Sequence, residues 1–459
     1  MKKSLRLTVK KPILPFMLSW LKLPKTATAP FCPSEVHGAI VIPPNASFWK
    51  KLSIFVGPGL LVSVGYMDPG NWATSIEAGS RYGYNLLFVI LLSSVAAIFL
   101  QCLSLRVGLA TDKDIAQLCR TTYSRPTSLF LWIMAELAII ATDIAEVLGC
   151  ALAFKLLFGC SLKQGIALTA LDTLIVLGLK GKGFRRIEAI ILGLIMTIGL
   201  CYFVELWLIK PFWPDVWLGY IPSVDKISAT EPLYLAIGIL GATVMPHNLY
   251  LHSSIVQTRK VENTVQAKRI AIAMNNFDTI TSLFLAFLVN SAILILAAAA
   301  FNSTGHKTVI DIDQAYHLLD PIVGTSIAGV LFGIALLAAG QSSTFTGTIA
   351  GQIIMEGFIN LKIPCWKRRL ITRGLALIPA FIGVSILGDQ STGRLLVLSQ
   401  VVLSLQLPFV IYPLIRFASN KGLMQTFAIK GLAKAISWLL FLLIAFANIW
   451  LIYQLIFGD

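Results

Sequence analysis

Two short stretches place polar groups and a proline in the middle of long apolar runs. Residues 68–71 read Asp-Pro-Gly-Asn inside the run 53–80, and residues 245–248 read Met-Pro-His-Asn inside the run 232–256. Apolar runs of this length are typical of membrane-spanning helices. Both stretches follow the pattern X-Pro-x-Asn. Interrupted helices in corresponding halves of a chain indicate the binding site of a transporter.

The first interruption supplies hard oxygen donors. Pro69 and Gly70 break the helix, which leaves backbone carbonyl groups without a helical partner. Asp68 offers a carboxylate at bilayer depth, where an ionisable group is costly and indicates a functional site. Asn71 adds an amide oxygen, and the carboxyl end of a half-helix favours positive charge. We therefore predict a cation site at Asp68 and Asn71.

The second interruption adds a softer donor. Met245 offers a thioether sulfur, and the kink at Pro246 is expected to release the carbonyl group of Ala242, one turn earlier. A sulfur ligand shifts the preference of a site from Mg²⁺ and Ca²⁺ towards Mn²⁺, Fe²⁺, Co²⁺ and Cd²⁺. The alternative is that Met245 only fills space between helices.

Three acidic residues share one face of the third apolar run. Glu136, Asp143 and Glu146 are separated by seven and three residues, which places them on one side of a helix. Carboxyl groups crowded in an apolar setting resist ionisation. The pattern predicts a proton relay, with pairing to basic groups as the alternative. His247, which titrates near neutrality when unperturbed, is either a member of this relay or a satisfied polar group.

Further polar groups occur in later apolar runs. Asn290, Gln400 and Gln406 are amides at bilayer depth, and either glutamine could complete the coordination of a metal or bridge two helices. The stretch that begins with Gly340 and Gln341 is dense in small and hydroxylated residues. Such density predicts close helix packing rather than contact with a substrate.

The composition is that of a polytopic membrane protein. Of the 459 residues, 56% are hydrophobic and 13% are charged, which is unlike a soluble domain of this size. Eleven apolar segments follow one another along the chain. They lie at 53–80, 85–109, 127–154, 164–179, 187–208, 232–256, 270–299, 323–350, 371–387, 395–415 and 433–457.

The net charge of +15 is explained by the loops and not by a nucleic-acid partner. If residues 1–52 are cytoplasmic, 30 of the 37 lysine and arginine residues lie on the cytoplasmic side and seven on the other. This asymmetry predicts a cytoplasmic amino terminus and, with eleven spans, a carboxyl terminus outside. We predict a multi-pass protein of the cell (plasma) membrane, surrounded by the lipid bilayer. Residues 1–52 are interpreted as a basic, disordered cytoplasmic tail.

The positions of the two interruptions predict the architecture. Spans 1–5 (53–208) and spans 6–10 (232–415) start on opposite sides of the membrane, because five is odd, and each half begins with an interrupted span. This is typical of the LeuT-type fold. We predict an all-α protein with eleven transmembrane helices and a five-plus-five inverted repeat. Helices 1 and 6 are discontinuous, and an eleventh helix (433–457) is appended.

These motifs resemble those of the Nramp family of proton-coupled divalent metal transporters. The resemblance rests on residues 68–71, on residues 245–248 and on GQSSTFTGTIAGQIIMEGF at 340–358, and it covers about residues 50–457. It implies a set of metal ligands. The set comprises Asp68, Asn71, Met245, the carbonyl group of Ala242 and, in an occluded state, Gln400.

The resemblance also implies roles outside the ligand set. Asp143 and Glu146 would transfer protons with a contribution from His247, and Asn290 would be a polar group of an outer gate. The magnesium- and aluminium-transporting branches of the family replace the methionine, so Met245 argues against both.

The predicted function is symport of Mn²⁺, and also of Fe²⁺, Co²⁺ and Cd²⁺, with protons into the cytoplasm by alternating access. The metal ion and the proton are substrates, and we predict no cofactor. No enzymatic activity is predicted, since HExxH, Ser/His/Asp and phosphate-loop motifs do not occur. Two alternatives remain. One is a sodium-coupled amino-acid carrier of the same architecture, whose substrate carboxylate Asp68 would repel, and the other is an uncoupled metal channel.

Overall fold

Helices dominate the computed structural model, which describes residues 37–43, 47–178, 184–223, 225–307, 309–324, 327–360, 365–388 and 392–457. A two-residue parallel pair, β1 (Ile40–Val41) with β2 (Arg259–Lys260), accompanies them. The α-helices are, in chain order, α1 (Phe48–Phe55), α2 (Pro58–Gly65), α3 (Pro69–Tyr82), α4 (Leu87–Thr111), α5 (Ile115–Thr122), α6 (Arg125–Phe158), α7 (Leu162–Gly178), α8 (Phe184–Ile209), α9 (Trp213–Gly219), α10 (Thr230–Val244), α11 (Pro246–Ile255), α12 (Val265–Ala297), α13 (Ile312–Val323), α14 (Ile327–Ile359), α15 (Cys365–Leu387), α16 (Thr392–Ser419), α17 (Lys421–Met424) and α18 (Gly431–Phe457).

The apolar segments predicted from the sequence coincide with these helices, and most ends agree within a few residues. The segment 323–350 is shifted to Ile327–Ile359, because α13 ends at Val323 and Gly324 caps it with a left-handed φ of 77°. Seven helical stretches among the described residues are long and apolar enough to cross a bilayer. The short helices α5, α9, α13 and α17 lie between the predicted segments.

Both interruptions occur where the sequence predicts them. The helix α2 ends at Gly65 and α3 begins at Pro69, whereas α10 ends at Val244 and α11 begins at Pro246. In each pair a proline is the first residue of the second half-helix. There its fixed φ suits the helix, and its missing N–H would have had no helical partner.

The four half-helices form the buried centre of the bundle. All eight residues of α2 and all ten residues of α11 are buried. Glycines let the surrounding helices approach closely: a Cβ at Gly59 would lie 2.7 Å from Thr279 Cα on α12, and one at Gly241 would lie 2.0 Å from the carbonyl oxygen of Gln400 on α16. The centre is therefore held by backbone-to-backbone contacts with little free volume.

The amino-terminal segment differs from its prediction where the structure describes it. Residues 1–36 and 44–46 of the predicted tail lie outside the described residues. Within residues 37–43, however, Ile40–Val41 pairs with Arg259–Lys260, and the Gly38 N–H donates to the carbonyl of Gln257 at 2.9 Å. The helix α1 begins at Phe48. The prediction of disorder over 1–52 is therefore wrong for this last part, because a distant strand supplies the pairing.

The contact between α6 and the first interruption can be tested at Gly149. A Cβ there would lie 2.1 Å from Pro69 Cγ, and the proline ring cannot rotate away. We expect Gly149→Ala to destabilise the protein by about 1–3 kcal/mol, the usual cost of overpacking. Gly199→Ala on α8 is the matched control, since nothing lies within 4 Å of its Cβ position. It should stabilise by about 0.5–1 kcal/mol. Thermal unfolding in detergent measures both, and equal midpoints would contradict the close contact.

Candidate metal centre

Asp68 caps the amino end of α3 and is completely buried. Its Oδ1 accepts hydrogen bonds from the backbone N–H of Asn71 at 2.9 Å and from Asn71 Nδ2 at 2.8 Å. Its Oδ2 is also buried and has no hydrogen-bond partner among the described residues. A buried carboxylate oxygen without a donor is costly unless a cation or a proton binds it. Asp68 Oδ2 is therefore a candidate ligand atom.

The carbonyl group of Ala242 is free of the helical hydrogen bond, as the sequence predicts. In a continuous helix it would accept from the N–H four residues later, but that residue is Pro246, which has no N–H. It accepts instead from Asn71 Nδ2 at 2.9 Å. Because Asn71 also donates to Asp68, one amide group joins both chain breaks.

Met245 links α10 to α11 with φ 37° and ψ 102°. A positive φ of this kind is unusual for a residue with a Cβ and costs about 1–3 kcal/mol. The side chain is completely buried, and its sulfur accepts a hydrogen bond from Asn248 Nδ2 at 3.4 Å. The strained backbone has an explanation if the site needs a sulfur at this point of the chain.

Two further amides surround the first break. The Gln400 amide packs against Gly70, where a Cβ would lie 1.8 Å from Nε2. Gln400 Nε2 donates to Ser399 Oγ at 2.9 Å, and Oε1 is buried without a hydrogen-bond partner in the described part of the chain. Asn290 donates to the carbonyl of Tyr66 at 2.8 Å and so satisfies a group that the break leaves free. Its gate role stays a prediction.

Asp143 and Glu146 are buried on α6. Gly149 of the same helix packs against the first break. From that contact, helix geometry places Glu146 about 4.5 Å and Asp143 about 9 Å away along the axis. His247 Nδ1 lies 3.3 Å from Thr142 Oγ1, which ties α11 to α6 beside Asp143. The structure thus brings three of the four predicted proton-pathway residues to one side of the centre.

Other predicted residues lie apart from the centre. Glu136 is half-buried, accepts a hydrogen bond from Trp132 Nε1 at 2.8 Å and lies about 20 Å along the axis from the contact between α6 and α3. Gly340 and Gln341 face Cys150: a Cβ at Gly340 would lie 2.5 Å from the sulfur, and Gln341 Nε2 lies 3.7 Å from it. These contacts are packing between α14 and α6.

Sequence reasoning missed a buried charged cluster at the start of the first span. Arg259 Nη2 donates to Glu188 Oε1 at 2.8 Å and to the carbonyl of Val56 at 3.0 Å. Asp278 accepts from the Gly57 N–H at 3.1 Å. Gly57 has φ 143°, and a Cβ there would lie 2.1 Å from Glu188 Oε1. Glu188 and Asp278 lie within predicted spans, and an acidic residue in a span is a signal that the sequence offers. Their partners are remote in sequence, so the pairing itself could not be predicted.

Comparison with known proteins gives the family. The family model described as "Natural resistance-associated macrophage protein-like" (Nramp) matches residues 59–454. This chain belongs to the Nramp family. It is 66% identical over 436 residues to the divalent metal cation transporter MntH of Ralstonia nicotianae, with 95% of this chain and 99% of the relative covered. The resemblance inferred from the motifs is thus confirmed.

Solved structures give the fold of this Nramp chain. A variant of the Eremococcus coleocola manganese transporter is 38% identical, with a TM-score of 0.85 and coverage of 93% of this chain and 92% of that one. Mhp1, a nucleobase-cation-symport-1 family transporter, is 15% identical with a TM-score of 0.56 and coverage of 88% and 91%, a likeness of fold alone. The Nramp chain is therefore a multi-pass helical membrane protein with a LeuT-like fold. Its relatives are named as transporters, which confirms that it is not an enzyme.

The backbone strain at Met245 of the Nramp chain can be separated from its sulfur. Met245→Gly and Met245→Ala both remove the side chain, but only glycine adopts φ 37° without a steric penalty. We expect the glycine variant to be more stable than the alanine variant by about 1 kcal/mol. Thermal unfolding midpoints of the two purified variants measure this difference. A higher midpoint for Met245→Ala would show that position 245 is not strained.

Proposed function

We propose that this protein carries divalent transition-metal ions, Mn²⁺ above all, together with protons into the cytoplasm by alternating access. The observation that carries the proposal is the buried Asp68 Oδ2, which no donor among the described residues satisfies. It belongs to a centre whose other candidate metal ligands are the Asn71 amide, the Ala242 carbonyl and the Met245 sulfur. The names of the relatives, a divalent metal cation transporter and a manganese transporter, support the same cargo.

The donor set suits the softer divalent ions. Carboxylate, amide and carbonyl oxygens alone would also suit Ca²⁺ and Mg²⁺, whereas a thioether favours Mn²⁺, Fe²⁺, Co²⁺ and Cd²⁺. The Ala242 oxygen accepts from Asn71 and retains a second lone pair for an ion. Gln400 Oε1, buried beside Gly70, supplies a further oxygen when the site closes around its cargo.

We infer that the moving parts are the two interrupted spans. Eleven spans would form an inverted repeat of residues 53–208 and 232–415, with 433–457 appended. The hydrogen bond from Asn71 to the Ala242 carbonyl, between the first spans of the two halves, supports this arrangement.

The loop charges support an amino terminus in the cytoplasm and a carboxyl terminus outside the plasma membrane. The cluster of Glu188, Arg259 and Asp278 would hold α2 in place until the cytoplasmic side opens.

The proton path would run along α6. Asp143 and Glu146 lie within about two helical turns of the contact with the first break, and His247 approaches Thr142 from α11. Groups that exchange protons so close to a divalent cation would feel its charge. We therefore assign Asp143, Glu146 and His247 to the coupling and place Glu136, about 20 Å from the same contact, at the cytoplasmic end of the path.

The same geometry gives less support to the two alternative functions. An amino-acid carrier would bring its substrate carboxylate against the buried Asp68. The Oδ2 atom of Asp68 already lacks a hydrogen-bond donor among the described residues. An uncoupled metal channel would share the cargo but not respond to a pH gradient. Uptake of Mn²⁺ and of amino acids into proteoliposomes, with and without an imposed pH gradient, separates the three functions.

Asp68→Asn tests the metal centre. The substitution keeps an oxygen that can cap α3 but removes the formal charge of the centre. We expect Mn²⁺ uptake into proteoliposomes to fall about 100-fold or more, the equivalent of about 3 kcal/mol. Asp114→Asn is the matched control, since Asp114 caps α5 in the same way, away from the centre. Uptake by Asp68→Asn equal to that of the control would contradict the site.

Asp143→Asn tests the proton path. The variant keeps the shape of the side chain but cannot release a proton. We expect Mn²⁺ binding to persist while proton entry during Mn²⁺ uptake falls about tenfold or more, within the range of a positioned proton-transfer group. A pH-sensitive dye inside the vesicles reports the protons. Unchanged acidification at equal Mn²⁺ uptake would assign Asp143 a structural role, and Glu136→Gln in parallel decides whether the path extends to that residue.

A further inference from the structure

Each of the two chain breaks contains the same kind of hydrogen bond, which the pattern X-Pro-x-Asn does not by itself reveal. In the first break, Asn71 Nδ2 donates to the side chain of residue X, Asp68 Oδ1, at 2.8 Å. In the second break, Asn248 Nδ2 donates to the side chain of residue X, Met245 Sδ, at 3.4 Å. In both breaks, therefore, the asparagine holds the candidate ligand that lies three residues before it.

The surroundings of Asn248 determine which way its amide points. The side chain is completely buried, and Nδ2 also lies 3.5 Å from the carbonyl oxygen of Val62. A reversed amide would direct its oxygen at two acceptors, the carbonyl and the sulfur, so the donor must face them. A Cβ at Gly65 would lie 2.3 Å from Asn248 Nδ2 and 3.2 Å from Met245 Sδ. The absence of a side chain at Gly65 thus makes room for this contact.

We propose that Asn248 positions the Met245 sulfur for metal binding, an inference that rests on the proposed function. A methionine side chain has several rotatable bonds and adapts readily to its surroundings. An N–H group that engages one lone pair of the sulfur fixes its position and leaves the other lone pair for an ion. Asn71 does the same for Asp68, where Oδ1 is held and Oδ2 remains available. Asn248 thus acts through the sulfur, and its effect is largest for ions that favour sulfur.

The readout is the ratio of Cd²⁺ to Mn²⁺ affinity, measured by calorimetry on the purified protein and by competition uptake into proteoliposomes. Asn248→Leu keeps a similar volume but lacks the donor. We expect it to lower the ratio about tenfold, as partners that orient a ligand typically contribute tenfold or more to metal affinity. Met245→Ala should lower the ratio at least as much. Asn248→Leu added to Met245→Ala should have no further effect, since the sulfur on which it acts is absent.

A second variant reaches the same contact from the other side. Gly65→Ala places a methyl group 2.3 Å from Asn248 Nδ2 and 3.2 Å from Met245 Sδ, so it should disturb the contact and lower the ratio in the wild-type background but have no effect on the ratio in Met245→Ala. The matched control is Asn448→Leu. Asn448 is also buried, but it lies on α18 and donates to the carbonyls of Ser404 and Ile444, neither of which belongs to a chain break. The ratio should be unchanged in the control.

Specific outcomes overturn the proposal. A wild-type ratio in both Asn248→Leu and Gly65→Ala shows that the sulfur needs no positioning. An equal fall with and without Met245 shows that Asn248 acts on the ion by another route, such as direct coordination through Oδ1. If the wild-type protein binds both ions and Asn248→Leu changes the affinity ratio, but neither ion is taken up into proteoliposomes, the positioning role is supported and the proposed transport is contradicted.

Discussion

The structure depends on one constraint: a helix that breaks inside a bilayer exposes backbone groups that no water can satisfy. Side chains from the opposite half of the chain supply the missing partners. Asn71 donates to the carbonyl of Ala242 across the two breaks, and Asn290 donates to the carbonyl of Tyr66. Once these bonds are made, Asp68 Oδ2 is left over. Gln400 Oε1 and Asn248 Oδ1 are also without a hydrogen-bond partner among the described residues, but Asp68 Oδ2 belongs to a carboxyl group, which makes it the natural place for a cation.

The same constraint limits how the molecule can move. Backbone contacts at glycines hold the half-helices together, and a buried ion pair, Arg259 with Glu188, holds the start of the first span. Removing one member of a buried pair costs about 3–5 kcal/mol, because the other charge is left without a partner. Glu188 also pairs with Arg185 at 3.0 Å, so an opening that separates Arg259 from Glu188 leaves the guanidinium group of Arg259 as the charge that water must hydrate. Entry of water on that side and displacement of α2 would then be a single cooperative step.

The sequence predicts the helices and the two interruptions well, because both follow from local chemistry. Apolar runs of span length admit a helix and little else, and Pro69 and Pro246 must end a helical hydrogen-bond ladder. It also predicts that Ala242 loses its helical partner. It does not predict that Asn71 is the replacement, nor that Asn248 holds the sulfur, because these bonds depend on how two distant half-helices pack. The cluster around Glu188 was missed for the same reason.

The proposed coupling of metal and proton follows from charge balance in the centre. A divalent ion beside the single carboxylate of Asp68 leaves one positive charge in excess in a poorly hydrated region. A proton on Asp143, at a separation of about 10 Å, would be repelled by the ion's two charges with about 3 kcal/mol at an effective dielectric constant of about 20. That energy changes the equilibrium constant of proton binding by a factor of about one hundred. Arrival of the cargo would thus promote proton release without direct contact, and the short distance along α6 suffices to link the two ions.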